Sequence, residues 1–455
     1  MAEIPLSSQS YTDAVGENSA DELINLYPEA GQGRFPFVLV GCAGLKLFGT
    51  VGVGPHRGSI RMDGIKYTVS GNEFYSVNSS GVGTLVGTVT GTGPVSMAEN
   101  GTQIAIAVPG SKGYIATATT ISQITDPNFI TPNTVTFLDG FFVWSIENGQ
   151  AIISKLNDGT AYDALDFFTA ETDPDDIVTV ISDHQELVLL GTDTIDFYRN
   201  TGAPFSRMGG STAEKGCLAR FSVQKADNSV IWLAPDFTVY RLNGRTPLRI
   251  SSHAVETAIK SYAQPENAES FVYGERGSLF YVLKFDEETW VYSFPVDRWF
   301  KRRSKGRDNW RVGSYCFAYD KHLVGDELNG KIYEIDPSTF DEDGDEITRI
   351  TDLPYVDKDN LTVFSHRLEV IFGPGVGLTV GQGSDPQIMM SYSDNGGKTY
   401  STELRRTAGK IGVYDTRATW NRMGSFRRRT HRFLMSDPVE WRILGVLMEA
   451  SLGSS

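Results

Sequence analysis

Five acidic residues lie within six positions, Asp341, Glu342, Asp343, Asp345 and Glu346, and offer the oxygen ligands that a hard cation such as calcium prefers. Gly344 stands fourth from Asp341, whereas an EF-hand turn needs its glycine sixth, so the register points to a solvated hairpin loop. The six histidines, His56, His184, His253, His322, His366 and His431, are scattered, with no pair at metal-ligand spacing. No G-x-S-x-G elbow or Walker A sequence occurs, and the glycine-rich stretch at 49–55, GTVGVGP, lacks a following lysine and helix. These patterns call for no cofactor, no metal and no enzyme. Basic residues bunch twice, as Lys301, Arg302, Arg303, Lys305 and Arg307 and as Arg427, Arg428, Arg429 and Arg432. The chain as a whole carries 41 Lys plus Arg against 56 Asp plus Glu, a net charge of −15. On such a background the basic groups read as solvated faces or subunit interfaces, where guanidinium forks meet a neighbour's carboxylates. The nearby Trp299, Phe300 and Trp310 lend weaker support to a nucleic-acid contact. A free-standing nucleic-acid binder is disfavoured, because neutralising phosphates takes a net basic face.

The elements that would position these groups are short strands. The 455 residues include 47 glycines, an excess that marks many tight turns. From about 60 to 350, β-rich runs recur between turns. Ile104, Phe142, Leu189, Ile231, Phe280 and Leu323 anchor successive runs at intervals of 38 to 49 residues. That is the period of a four-stranded propeller blade. An additional earlier unit beginning near Tyr67, 37 residues before Ile104, would bring six blades to seven. Each such unit is too small to bury both its faces alone and must stack on its neighbours, while ring closure hides sheet edges. One helix is predicted over 252–262, capped by Ser251 or Ser252, with Ala254, Val255, Ala258 and Ile259 as its apolar stripe and Pro265 beyond its end.

The expected fold is all-β, a six- or seven-bladed β-propeller over 60–351 with a C-terminal β-sandwich-like domain over 352–455. Residues 1–59 read as an N-terminal arm and lead-in strands. Cys42, Cys217 and Cys316 are too few and too far apart for a disulfide framework. The N-terminus has no secretory pattern, and no apolar run approaches 18 residues, so folding in a reducing cytoplasm without a membrane anchor is expected.

Residues 393–400, SDNGGKTY, resemble the Asp-box consensus S-x-D-x-G-x-T-W of sialidase hairpins, with Asn395 at the Asp position and Tyr400 at the aromatic one. In families that carry it the box holds a turn through its hydroxyls and carboxamide. It motivates an alternative reading as a sialidase-like propeller that binds or hydrolyses carbohydrate. A cytosolic scaffold propeller is a further rival.

Four stretches lie in register with one family: NLYPE at 25–29, TIDFYRNTGA at 194–203, IWLAPDFTVYRL with the HAVETAIKSY helix at 231–262, and YDTRATWNRMGSFRR at 414–428. The last is similar to the family stretch Y-D-x-R-x-x-W-x-R-x-G-x-x-R-R. Together they resemble the podovirus packaged-DNA stabilisation proteins, also called tail hubs or nozzles. The resemblance implies a structural virion protein that forms a homohexameric ring below the portal adaptor. It also implies partners: the adaptor ring, a tail needle or plug, and tailspikes or fibres, with DNA only as passing cargo. By position Tyr414, Asp415, Arg417, Trp420, Arg422, Gly424, Arg427 and Arg428 match the motif, and they are expected at a subunit or adaptor interface. The resemblance places the protein in the virion tail, assembled in the host cytoplasm.

Overall fold

The computed structural model describes residues 2–12, 20–31, 33, 35–169, 175–202, 205–210, 212–373 and 375–453. Seven antiparallel four-stranded units follow one another around an axis. Blade 1 runs from strand His56–Met62 to Gly83–Thr88, blade 2 from Ser96–Glu99 to Ile121–Gln123, and blade 3 from Pro132–Leu138 to Asp158–Thr169. Blade 4 runs from Ile177–Asp183 to Phe205–Arg207, blade 5 from Gln224–Ala226 to Thr246–Arg249, and blade 6 from Glu269–Glu275 to Arg298–Arg302. Blade 7 takes three strands, Val312–Ala318, Lys321–Asp326 and Lys331–Asp336, from late in the chain, and its outer strand Gly44–Thr50 from the beginning. All six sequence anchors, and Tyr67 before them, lie on the second strand of their blades.

Burial explains why the units close into a ring. The apolar clusters form between blades and not within them: Tyr67 and Phe74 of blade 1 pack with Ile104 and Ile106 of blade 2, and Val143 and Ile153 of blade 3 with Leu187 and Leu189 of blade 4. Near the axis, hydroxyls stitch the inner strands together. Thr179 Oγ1 donates to Thr134 Oγ1 at 3.1 Å, Ser59 and Ser314 Oγ lie 3.1 Å apart, and Ser270 Oγ donates to the Phe221 carbonyl at 2.7 Å. The helix forms over His253–Ser261, with the Ser252 hydroxyl accepting from the Val255 N–H, and its Val255 and Ile259 join the core between blades 5 and 6.

The lead-in strands expected within 1–59 are built into both folded units. Gly44–Thr50 pairs with Lys331–Asp336 to close blade 7, and His56–Met62 is the inner strand of blade 1. Leu26–Ala30 and Phe37–Gly41 belong to the C-terminal sandwich, and Ala2–Ile4 pairs with Arg442–Leu452. The physical reason is edge satisfaction: without the early strand, Lys331–Asp336 would present an open row of backbone donors and acceptors. The sandwich also extends upstream of 352, because Arg349–Asp352 pairs with Arg428–Met435.

One sandwich sheet has the order Ala418–Asn421, Val363–Phe372, Arg442–Leu452, Phe37–Gly41, Leu26–Ala30. The other runs Leu404–Thr407, Gln387–Ser393, Arg428–Met435, Arg349–Asp352, Leu23–Ile24, and then continues into blade 6 through the pairing of Ile24 with Lys301. One apolar core therefore spans the sandwich and blades 6 and 7.

Candidate functional site

The eight motif residues do not share one environment. Trp420 lies on the short strand Ala418–Asn421 opposite Leu368, fully buried, with its indole N–H donating to the Leu404 carbonyl at 2.9 Å and its ring 5.8 Å from that of Phe433. Tyr414 is 69% exposed, and Asp415, Arg422, Gly424 and Arg427 are exposed as well. Arg417 reaches back to the almost fully buried carboxylate of Glu369 at 2.7 Å. Arg428 is half-buried, its guanidinium 3.9 Å from the Tyr355 ring centre. Arg422 and Gly424 take φ of 58° and 77°, the left-handed turn that leads the chain into strand Ser425–Phe426. Trp420 is therefore a core residue of the sandwich, and the residues of the motif that stand exposed are Tyr414, Asp415, Arg417, Arg422, Gly424 and Arg427. Trp420→Ala is expected to lower stability by about 3–5 kcal/mol through the lost burial and the cavity left behind, whereas Arg427→Ala leaves the urea midpoint unchanged.

The remaining basic residues are largely neutralised inside the chain. Arg429 makes two bonds to Asp394 at 2.6 and 2.8 Å, and Arg432 makes two to Asp352 at 2.6 and 2.7 Å and a third to Glu22 at 3.0 Å. Burial raises the Asp352 carboxyl above its ordinary range, against the pull of Arg432. In the first bunch Lys301 pairs with Glu288 at 2.6 Å, Lys305 with Glu346 at 3.7 Å, and Arg307 with Glu327, while Arg302 is fully buried. The guanidinium groups of Arg307, Arg429 and Arg432 are thus already held by protein carboxylates.

The acidic run forms a two-stranded hairpin, Asp341–Glu342 with Asp345–Glu346. Its carboxylates turn to different partners: Glu342 accepts from the Trp310 indole at 2.9 Å, Asp343 meets Lys331 at 2.6 Å, and Asp345 meets Arg311 at 3.1 Å. Among the described residues no three His, Cys, Asp or Glu side chains converge as a metal site. The Asp-box-like turn is held as its residue types suggest. Asn395 Oδ1 accepts from the Ser393 hydroxyl at 2.8 Å and from the Thr399 N–H at 3.0 Å, and the Tyr400 hydroxyl donates to Asp352 at 3.1 Å.

A concavity of about 470 Å³ lies on the propeller axis and is lined by the inner strands of all seven blades. Hydroxyl and apolar side chains share its wall, with Arg57, Arg220, Lys225, Glu99 and Glu269 among them. A sialidase would direct three arginines at its substrate carboxylate. Here Arg57 donates to the carbonyls of Gly93 at 2.6 Å and of Gly71 and Val89 at 3.1 Å, and Arg220 donates to Asn133 at 2.6 Å. Burial, with Asp286 nearby, pushes Glu269 up to about 7, and Glu99 lines the same cavity.

Sequence reasoning missed a buried polar junction between propeller and sandwich. Arg302 of blade 6 donates to the Ala43 carbonyl at 2.8 Å and to the Tyr273 hydroxyl at 3.2 Å, and its guanidinium lies 3.7 Å from the Trp310 ring centre. Glu275 accepts from the Ala43 N–H at 3.0 Å. Burial raises both Glu275 and Glu342 despite the nearby Arg302, and pushes Arg349 down to about 10.

The chain is thus a propeller–sandwich protein, a closed seven-bladed ring fused through a shared sheet and core to a β-sandwich, with Arg57 and Arg220 near the axis held by the chain's own carbonyl and carboxamide groups. Residues 2–340 match the family model described as the bacteriophage P22 Gp10 β-propeller, and residues 347–451 match the bacteriophage P22 Gp10 β-sandwich. The chain belongs to this P22 Gp10 family of podovirus tail hubs, and it is a structural protein of a phage tail, not an enzyme. It is 23% identical to the tail hub protein gp10 of Salmonella phage P22 over 398 residues, 80% of each chain. Among solved structures, a chain of the mitotic checkpoint complex is similar at a TM-score of 0.43 and 9% identity, covering 61% of this chain and 86% of that one. PorZ of Porphyromonas gingivalis is similar at 0.36 and 11%, covering 72% and 44%.

Proposed function

We propose that the chain assembles as a six-membered ring below the portal adaptor of a short-tailed phage. The ring continues the DNA channel, stabilises the packaged genome with a plug or needle, and offers its outer surface to tailspikes or fibres. The observation that carries the assembly reading is the exposure of Tyr414, Arg417, Arg422 and Arg427 within one fifteen-residue stretch of the sandwich, residue types that anchor protein interfaces. A net charge of −15 suits a conduit, since an acidic wall repels the phosphates of passing DNA. The axial cavity of about 470 Å³ is too small for a duplex, so the channel would be the centre of the ring of copies and not the axis of any one propeller. Light scattering of the purified protein, alone and with the adaptor ring, tests the proposal. The expected mass is six times 50.0 kDa, with no turnover of a fluorogenic sialoside. A 50.0 kDa monomer that ignores the adaptor would reject it.

A further inference from the structure

Blade 3 carries an unusual outer strand. Asp158–Thr169 pairs with Gln150–Lys155, but the partners jump from Ser154↔Tyr162 to Ile152↔Phe167, so residues 163–166 bulge out opposite Ile153 alone. Lys155 clamps the bulge by meeting Asp163 at 3.2 Å and Asp166 at 2.9 Å, and the Leu165 N–H donates to Asp163 at 3.1 Å. The product is a braced knob with Leu165 at its tip, 83% exposed, and with Leu156 and Phe167 also open to solvent. Bulges re-aim side chains and blunt an edge strand, and this one turns a leucine into water where burial would favour it. Blade 3, residues 132–169, holds five acidic residues and one basic residue, and that residue is the clamping Lys155.

The opposite character appears on the sandwich. The loop around Leu378 and Val380 packs on the loop around Ile411, Val413 and Tyr414; a side chain at Gly377 would meet the Ile411 backbone nitrogen at 2.8 Å. All five of these apolar or aromatic side chains are exposed, Val380 by 78%. Across 404–428 the sequence carries seven basic residues and one acidic residue. The two surfaces also lie on separate parts of the molecule. The sandwich grows from the outer edges of blades 6 and 7, and in a ring of seven the blade facing that boundary is blade 3.

We infer that the acidic, leucine-tipped bulge of blade 3 docks on the basic, apolar face of the sandwich of a second copy of this chain. The contact is heterologous, each copy using its bulge on one side and its sandwich on the other, as a ring requires. Apolar tip against apolar patch supplies the buried anchor, and the charges fix register and exclude like-to-like pairing. The inference rests on the ring reading proposed above and names the surfaces that would build it.

Full-length chains carrying Leu165→Cys or Val413→Cys, alone, mixed and combined in one chain, are to be oxidised mildly with the adaptor ring present while mass is followed by light scattering. The native cysteines are buried and should stay silent. Mixing the single variants is expected to give cross-linked pairs, and the combined variant a ladder. Asp163→Lys with Asp166→Lys should weaken self-association about 100-fold, and Arg405→Glu with Arg406→Glu in the same chain should restore it. Assembly of full mass without cross-linked pairs would overturn the surface assignment and leave the ring reading standing. Cross-linking of Leu165→Cys to the adaptor would likewise overturn it, and a monomer throughout would reject both.

Discussion

Replacing Arg302 with alanine is expected to lower the stability of the chain by about 3–5 kcal/mol, the cost of stranding buried charge. Arg302 is fully buried and touches three parts of the molecule: its own blade 6 through Tyr273, the N-terminal segment through the Ala43 carbonyl, and Trp310 ahead of blade 7, whose indole holds Glu342. One oxygen of Glu275 and one of Glu342 have no hydrogen-bond partner even with the arginine present. Without it both carboxyls, already raised by burial, would have to be protonated or hydrated where the propeller meets the sandwich. Urea unfolding followed by tryptophan fluorescence measures the loss. Arg302→Met should fare little better, because the methionine fills volume but leaves the acids unpaired. Adding Glu275→Gln and Glu342→Gln should recover most of the stability, because the charge that needed a partner is gone. A midpoint unmoved in Arg302→Ala would mean that water reaches the junction and the charges are already screened.

That junction also shows where sequence reading stops. The run KRRSKGR at 301–307 has the composition of a solvated face, and residue type alone does not reveal that Arg302 points inward on its strand while Lys305 points out. The blades were legible because each second strand is a buried apolar run bounded by turns, as at Leu187–Leu190 and Val230–Leu233, and the interval between runs is set by the size of a blade. The helix was legible from its cap and stripe, since both are local. The closing strand Gly44–Thr50 was not, because its partner lies near residue 334 and nothing in its neighbourhood signals so distant a pairing. The motif at 414–428 was legible as a unit but not by residue, since its tryptophan fills the sandwich core while its tyrosine stands in solvent.

Acidification supplies the second large effect. His431 sits on strand Arg428–Met435, fully buried, with neither ring nitrogen hydrogen-bonded. Burial, reinforced by the Arg429 guanidinium and opposed by Asp394, pushes its imidazole down to about 3. Above about pH 6.5, the value expected in the unfolded chain, the ring is neutral in both states and has no effect on the pH dependence. Between that pH and about 3 the unfolded chain takes up a proton that the folded chain refuses, so stability falls by about 1.4 kcal/mol per pH unit as pH drops. His56, lowered to about 4 by burial beside the closure of blade 7 on blade 1, acts in the same direction. Glu269, Glu275, Glu342 and Asp352, all raised by burial, act in the opposite one, so the whole-protein curve is a sum of opposed slopes. A difference isolates the histidine. His431→Leu is expected to match the parent within about 1 kcal/mol at pH 7, because the volumes are similar and no hydrogen bond is lost. At pH 4.5 it should be more stable than the parent by about 3 kcal/mol, measured by urea titration at both pH values. Parallel pH profiles for parent and variant would show that the ring is already solvated in the folded chain, and the dry interior assigned to this strand would have to be given up.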